Sequence, residues 1–577
     1  MSKVRIAGKA EVAQPGCKVF HVNGHTLALF TTAAGLYAID NRCPHMGFPL
    51  DKGTVRDGIL TCHWHHARFD LASGGAFDLF ADDVMAYPVT IEDDDVWVDL
   101  SQTYDPSLYY QKRLRDGLEQ ELNLVIAKSA IALVDPNEPA TASEPFRIGL
   151  AFGSQYRSGG WGMGQTINTC MLNLIPHLSP ADRPLALYQG LTAVARDTAG
   201  MAPRFAIDPL PGPTVDLPTL KAWFRQFVEV RDGEGAERCL ATALQAGATA
   251  AEIADMLFAA ATDHRYLTIG HVADFTNKAL EALDQVGWAH APAVLPSLIP
   301  GYINGTRMEE RNAWRHPVDL AAILNAAFER LPAALAQGRE QPHPVYSPSS
   351  NLSVLLGDDP QAIVDLLLQL LSDGIGPAEL AQTVSCAAAR RIVHFHTSNE
   401  FGDWDTVLHT FTYANAIQHA LRRAPSIELL RGVFDAAMSV YLDRFLNIPA
   451  APLPKVEPNS TQPEKLLAEF SSLLNKQQQV NEAGRLVAQY LANAGQPGQM
   501  IAVLGTTLLR EDQDFHTIQT VETAVSQYRL LQGQPEAGHV LIAAARYLAA
   551  HSPTPRAQNQ TYQIALRLHR GERLFEG

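Results

Sequence analysis

The sequence predicts a multidomain chain in which an all-β N-terminal domain precedes a large all-α domain, Ala/Leu-rich and internally repeated. Three observations carry this expectation. Residues 1–102 alternate apolar and polar positions, with turn residues between the runs. From residue 103 onward the apolar spacing is helical. Finally, two helical stretches, about 236–330 and 362–448, share a common pattern. At 577 residues the chain is too long for one core, so two to four domains are expected.

Taken in order, MSKVRIAGKAEV reads as a first strand and lacks a hydrophobic signal core, which predicts a cytoplasmic protein. KVFHVNGHTLALFTTAAGLYAID gives further strands, broken at Asn23-Gly24 and at Gly35. GILTC and VMAYPVTIEDDDVWVDL complete a β domain over 1–102. The stretch 111–134 has the spacing of a helix, and DPNEPATASEP (135–145) reads as a linker, so 103–145 is assigned as helix and linker. Residues 146–450 form the expected catalytic domain. The Pro-rich stretch 449–463 separates it from C-terminal helices over 464–577. Within the repeat, GATAAEIADMLFAAA (247–261) matches GIGPAELAQTVSCAAA (374–389). Downstream, His271 falls on His409, Phe275 on Tyr413 and Asn277 on Asn415. The second copy needs an insertion, which contains HFHTSNEFGDW. Two such copies facing each other would bring the equivalent histidines together.

Composition excludes several classes. A net charge of −16 with no basic run makes nucleic acid and anionic membranes poor partners. No apolar run is long enough to span a bilayer. Six cysteines make no disulfide framework, and Cys17 has no assignable role. SGGWGMGQT (158–166) lacks the P-loop lysine and reads as a turn at a helix start. The cluster Glu309, Glu310, Arg315 and His316 reads as a salt-bridged helix end.

The strongest motif is CPHMGFPLDKGTVRDGILTCHWHHARFDL (43–71). Cys43-x-His45 and Cys62-x-x-His65 supply two thiolates and two imidazoles from two loops. Such a set can hold tetrahedral Zn²⁺, or a [2Fe–2S] cluster with Cys on one iron and His on the other. The stretch resembles the Rieske family, whose Cys-x-His…Cys-x-x-His signature is matched at Cys43, His45, Cys62 and His65. That resemblance implies a [2Fe–2S] cluster, with His63 and His66 outside the ligand set. The hydroxyls that raise the potential of respiratory Rieske proteins, and their extra loop disulfide, have no counterpart beside Ala67 and Phe69. A low-potential, ferredoxin- or oxygenase-type cluster is therefore expected.

A carrier fused to a helical domain implies an acceptor in the same chain. The Asp-x-x-His-x4–5-His run of ordinary Rieske oxygenases is absent. The Glu-x-x-His needed twice for a di-iron bundle occurs once, at Glu536 and His539. What remains is a histidine set. TDHRYLTIGHVADF places His264 and His271 two helical turns apart, a rise of roughly 10.5 Å. His409 is the repeat equivalent of His271. His516 stands at a helix start behind acidic residues, and His394 and His396 lie in the insertion. This region is similar to the questin oxidase-like family of non-heme iron oxygenases, which open or oxidise anthraquinone-type rings. The residues carrying the similarity are His264, His271, His409, Asp514 and His516. It implies a histidine-bound mononuclear iron, with His394 or His396 able to replace one ligand. A carboxylated Lys serves in at least one family member; here Lys278 follows His271 by seven residues and Gln519 follows His516, and neither supplies a clear anionic ligand.

The resulting expectation is a Rieske-dependent non-heme iron oxygenase. A separate flavin- and NAD(P)H-dependent reductase or ferredoxin supplies electrons, since no flavin or nicotinamide fingerprint is present. The [2Fe–2S] cluster passes them to the iron, which activates O₂ against an organic, aromatic or polyketide-like substrate. A homo-oligomer is compatible with the composition. The alternative is a fused ferredoxin-type carrier whose helical part is a metal-free docking module.

Overall fold

The computed structural model describes residues 3–101, 105–213, 215–572 and 574. It divides into two compact units, one of residues 1–135 with 558–577, the other of residues 136–557.

The first unit is built on ten strands: Lys3–Gly8 (β1), Gly16–Val22 (β2), His25–Thr32 (β3), Gly35–Asp40 (β4), Thr54–Arg56 (β5), Ile59–Thr61 (β6), Arg68–Asp70 (β7), Ala86–Tyr87 (β8), Val89–Glu92 (β9) and Asp95–Asp99 (β10). They form three antiparallel sheets in the orders β1-β10-β9, β2-β3-β4-β8 and β5-β6-β7. The β2–β3 hairpin turns on Asn23 (φ 47°) and Gly24 (φ 83°). Two consecutive positive φ values define the turn whose twist matches the flanking strands, which is why Asn-Gly is legible as a hairpin. Alternate residues of β3 and β4 feed two separate cores. Ala28, Phe30 and Ile39 pack with Leu60, Phe69 and both motif cysteines, while Leu27, Leu29 and Ala38 pack with Val96 and Val98.

The single helix expected over 111–134 is two helices, Pro106–Glu119 and Asn123–Leu133. Glu121 takes a left-handed φ of 52°, and this corner ends the first helix without the glycine or proline that would have marked it. The segment expected as a linker, 135–145, holds a short 3-10 turn, Pro139–Ala142, and then the start of helix Ser143–Gln155. The C-terminal helix Ala557–His569 leads back into the first unit, where Arg42 donates to the Leu568 carbonyl (3.1 Å) and to the Glu572 carbonyl (2.7 Å).

The second unit is helical throughout. Its repeated stretches form two helical hairpins, Ala250–Ala261 with His271–Val286 and Pro377–Val393 with Phe401–Arg423. Each hairpin opens on a left-handed glycine, Gly247 or Gly374. In each, a glutamate three residues into the first helix accepts from the backbone N–H at its cap: Glu252 from Thr249 (2.8 Å) and Glu379 from Gly376 (3.1 Å). The insertion in the second copy lengthens its second helix, so His409 lies two turns inside that helix while His271 begins its own. Helix Phe401–Arg423 packs against both helix His271–Val286 and helix Phe515–Leu530. Among the described residues no helix is long and apolar enough to cross a membrane.

Candidate metal centres

In the first unit, two ligand loops hang from the sheet β5-β6-β7 and its neighbours. Each is a tight turn closed by backbone bonds. Gly47 N–H donates to the Cys43 carbonyl (2.8 Å) and Cys43 N–H to the Phe48 carbonyl (2.7 Å); in the second loop, His66 N–H donates to the Cys62 carbonyl (3.1 Å) and Cys62 N–H to the Ala67 carbonyl (2.9 Å). Such turns aim their amides inward. The sulfur of Cys43 receives the N–H groups of His45 and Met46, and that of Cys62 receives those of Trp64 and His65. The two thiols are hydrogen-bonded to each other. That bond, aided by the Trp64 and His65 amides, pulls the Cys62 thiol down to about 6 against the effect of burial. The imidazoles of His45 and His65 meet edge to face with centroids 4.9 Å apart.

The donor set suits a [2Fe–2S] cluster on three counts. Two sulfurs and two imidazoles converge, and amide N–H groups point at the sulfurs. In addition, the buried Nδ1 of His45 has no hydrogen-bond partner. Both cysteines are buried, whereas His45 is half-buried and His65 exposed, so the histidine end faces outward. Burial, with the nearby Lys128 charge, holds His45 down at about 4, keeping the ring neutral and available as a ligand. His63 hydrogen-bonds Thr54 (2.6 Å), and neither it nor the exposed His66 belongs to this set.

In the second unit, His271, His409 and His516 bring one ring nitrogen each to within 4.8 Å of one another. Centroid distances are 4.5 Å for His271–His409 and 5.0 Å for His409–His516. They come from three helices: the first residue of one, the middle of the second and the start of the third. The buried Nδ1 atoms of His271 and His409 have no hydrogen-bond partner. Burial lowers His271 to about 4 and His409 well below the usual histidine value, so both rings are neutral. Burial pulls His516 the same way, but Asp514 and Asp405 outweigh it and raise its pKa. Its Nδ1 lies 3.7 Å from a carboxylate oxygen of each.

The structure sets the remaining sequence-selected histidines apart. Residues 264–271 are not two turns of helix. The chain turns at 263–265, passes through left-handed Tyr266, Thr268 and Ile269 (φ 50°, 49°, 49°), and enters the helix at His271. His264 therefore points elsewhere, between Glu309 (2.7 Å) and Glu229 (2.6 Å). His394 bonds the Ala451 carbonyl (2.8 Å) and His396 bonds Ser398 (2.8 Å). Lys278 is enclosed by Glu522 (2.6 Å) and Glu281 (2.9 Å). His539 of the lone Glu-x-x-His lies in the first turn of helix Ala537–Ala550, outside the three-histidine set.

Gly270 makes the sharp entry possible. Its φ is +93°, and a Cβ there would lie 2.9 Å from both the Tyr266 ring and Tyr413 Cβ, so only glycine fits. Three non-glycine residues held left-handed beside a polar cluster are the kind of stored strain that accompanies functional sites. Two cavities meet the histidines. One of about 310 Å³ has an apolar wall of Tyr266, Trp314, Leu442 and Phe445 and reaches His409. The other, about 410 Å³, is lined by Trp161, Phe275 and Tyr302 and reaches His271. One turn below His271, Asp274 is buried with one oxygen bonded to Gln519 and the other unpartnered; burial pushes its carboxyl up to about 7.

Sequence reasoning missed Asp405, Asp514 as a carboxylate facing His516, and Asp274. Asp405 lies four residues before His409 on one helix face, and the i, i+4 rule could have found it.

Residues 2–87 match the family model described as the Rieske [2Fe-2S] domain. The ferredoxin component of the naphthalene 1,2-dioxygenase system of Pseudomonas putida is 35% identical over 81 residues, 14% of this chain and 78% of that protein. The 3-phenylpropionate/cinnamic acid dioxygenase ferredoxin subunit of Escherichia coli O139:H28 is 36% identical over 78 residues, 13% of this chain and 74% of that protein. A 4beta-methylsterol monooxygenase of Methylococcus capsulatus is 48% identical over 48 residues, and the chain spans only 13% of its length. Among solved structures, the ferredoxin of carbazole 1,9a-dioxygenase from Nocardioides aromaticivorans is 28% identical, with 18% of this chain and 100% of that one aligned at a TM-score of 0.17. Through residues 2–87 the chain belongs to the Rieske [2Fe–2S] domain family, and that domain implies a [2Fe–2S] cluster.

Proposed function

We propose that the chain is a two-part cytoplasmic oxidoreductase. Cys43, His45, Cys62 and His65 hold the [2Fe–2S] cluster, which takes single electrons from a separate flavin- and NAD(P)H-dependent reductase or ferredoxin. The helical unit holds a mononuclear non-heme iron at His271, His409 and His516 and oxidises an organic, aromatic or polyketide-like, substrate with O₂. The carrier half is supported by relatives named as ferredoxin components of dioxygenase systems. One observation carries the rest: three imidazoles far apart in sequence converge, and two of them, His271 and His409, carry a buried, unpartnered Nδ1. Leaving such atoms unsatisfied costs about 1–3 kcal/mol each, a cost that a bound cation removes.

When bound, the iron supplies O₂ activation. The protein's own groups do the rest. Burial keeps His271 and His409 neutral, so their lone pairs are free. Asp405 and Asp514 lie beside Nδ1 of His516 and favour one orientation of its ring, the usual role of carboxylates beside a ligating histidine. The apolar cavity beside His409 excludes water and accepts a flat ring against Tyr266 and Trp314. Asp274, whose carboxyl burial raises to about 7, can hold or release a proton one turn from His271.

Iron and labile sulfide are to be measured on the wild type and on the His271→Ala/His409→Ala double variant. The wild type should hold about three irons per chain and the double variant about two, the cluster's own complement. If the double variant keeps a third iron, that iron is not held by His271 and His409; if the wild type holds the cluster's two alone, the helical unit is a metal-free docking module.

A further inference from the structure

Helix Asn123–Leu133, outside the matched residues 2–87, carries a lysine into the first ligand loop. The Lys128 side chain is 10% exposed. Its ammonium has three N–H groups and three acceptors: the Pro44 carbonyl, the His45 carbonyl (3.3 Å) and Asp82 Oδ2 (3.0 Å). Two of these are backbone oxygens of the Cys43-Pro44-His45 segment itself. Asp82 is held in turn by Arg113, whose Nε donates to Oδ1 (2.9 Å) and whose second nitrogen donates to the Leu79 (2.8 Å) and Ala81 (3.2 Å) carbonyls. The same 79–82 segment carries Phe80, which packs on the His45 ring with centroids 5.0 Å apart.

Burying an ammonium is expensive unless it is paired and fully hydrogen-bonded, and Lys128 is both. Arg113 also donates to Asp116 (3.0 Å), so the network pairs two cations with two carboxylates, and of these groups it is the Lys128 ammonium that bonds the ligand loop. Reduction adds one electron, hence one negative charge, to a [2Fe–2S] cluster, with no bond made or broken. A fixed cation in a medium that screens poorly favours that state.

We propose that Lys128 is a positioning residue of the cluster: anchored by Asp82, its ammonium clamps the Pro44–His45 segment and biases the cluster toward its reduced form. This rests on the ligand reading of Cys43 and His45 and is independent of the iron in the helical unit. The matched residues 2–87 do not supply this cation, so the helices after the β domain tune its redox poise.

The test is an EPR-monitored redox titration of the full-length, cluster-loaded chain with an external reductant. Lys128→Gln keeps a donor but removes the charge. It should shift the equilibrium toward the oxidised form by about tenfold, 59 mV for one electron. Asp82→Asn removes the opposing charge and should shift it the other way. Lys128→Arg should stay within about twofold of wild type. Visible and EPR spectra, unchanged in all three, report that the ligands are intact. The proposal is overturned if Lys128→Gln stays within about twofold of wild type, or if Lys128→Gln and Asp82→Asn shift in the same direction, as a purely mechanical clamp would require. Should Lys128→Gln fail to load a cluster, Asp82→Asn decides: a rise supports the proposal, and no change or a fall overturns it. A wild-type chain with no Rieske spectrum would overturn the ligand reading itself.

Discussion

Gly270→Ala bears directly on why His271 sits where it does. The residue has φ +93° and ψ −11°. Holding an L-residue in the left-handed region costs about 1–2 kcal/mol. The new methyl would also meet two carbons at 2.9 Å, the Tyr266 ring and Tyr413 Cβ, both of them buried. Tyr413 Cβ cannot swing away, because it is bonded to the backbone of helix Phe401–Arg423. Forcing a methyl into such a packed site costs about 1–3 kcal/mol. The expected loss is therefore about 2–5 kcal/mol, a large share of a domain's usual stability. Urea unfolding followed by circular dichroism at 222 nm measures it, since the helical unit supplies most of that signal. Iron content of the folded fraction should fall in parallel, because relief of the clash displaces the turn entering His271. A loss smaller than about 0.5 kcal/mol would refute the packing argument.

Further expectations follow the same reasoning. His264→Ala should keep wild-type iron, because His264 is committed to Glu229 and Glu309; a loss of iron would restore it as a ligand. His264 opposes burial through those two carboxylates and has a raised pKa, so its stabilising contribution is complete below about pH 6.5 and lost as pH rises through the folded value. The stability lost in His264→Ala should thus be larger at low than at high pH. In iron-free protein, His271 is depressed to about 4, so its contribution is present above pH 6.5 and lost on acidification toward pH 4, by about 3 kcal/mol; His271→Gln should flatten that slope, and an unchanged acid limb counts against it. Asp274 has the opposite sign. Its carboxyl is raised to about 7, so stability is full below about pH 4 and falls by about 4 kcal/mol on the way to pH 7, and Asp274→Asn should remove this alkaline loss. Finally, with no hydroxyl at Ala67 or Phe69, the wild-type midpoint should fall at the lower end of the Rieske range, roughly −150 mV, and protein-film voltammetry reads it directly.

What the sequence made legible was local. The four proposed cluster ligands lie between residues 43 and 65, their spacing set by two short turns, and chain order alone nearly determines their geometry. The β domain was equally readable because alternation and an Asn-Gly turn are nearest-neighbour signals. The helical repeat carried further than expected, placing His271 against His409. The failure at His264 has a definite cause. Counting seven residues assumed helix through Tyr266, Thr268 and Ile269, and no glycine or proline before Gly270 warned otherwise. The same blindness hid the left-handed corner at Glu121. Asp274, Asp82 and Lys128 matter through partners 245, 31 and 46 residues away, and no pattern along the chain encodes such pairings.

The order in which the chain leaves the ribosome is not the order in which its centres can close. The cysteine and histidine loops emerge early and together. Yet the unit that carries them also takes in helix Ala557–His569 and the residues after it, where Arg42 donates to the carbonyls of Leu568 and Glu572. The three-histidine site cannot exist until residue 516 has been made and three helices have packed. The loops made first therefore belong to the unit whose packing partners are made last, after residue 516 of the histidine set.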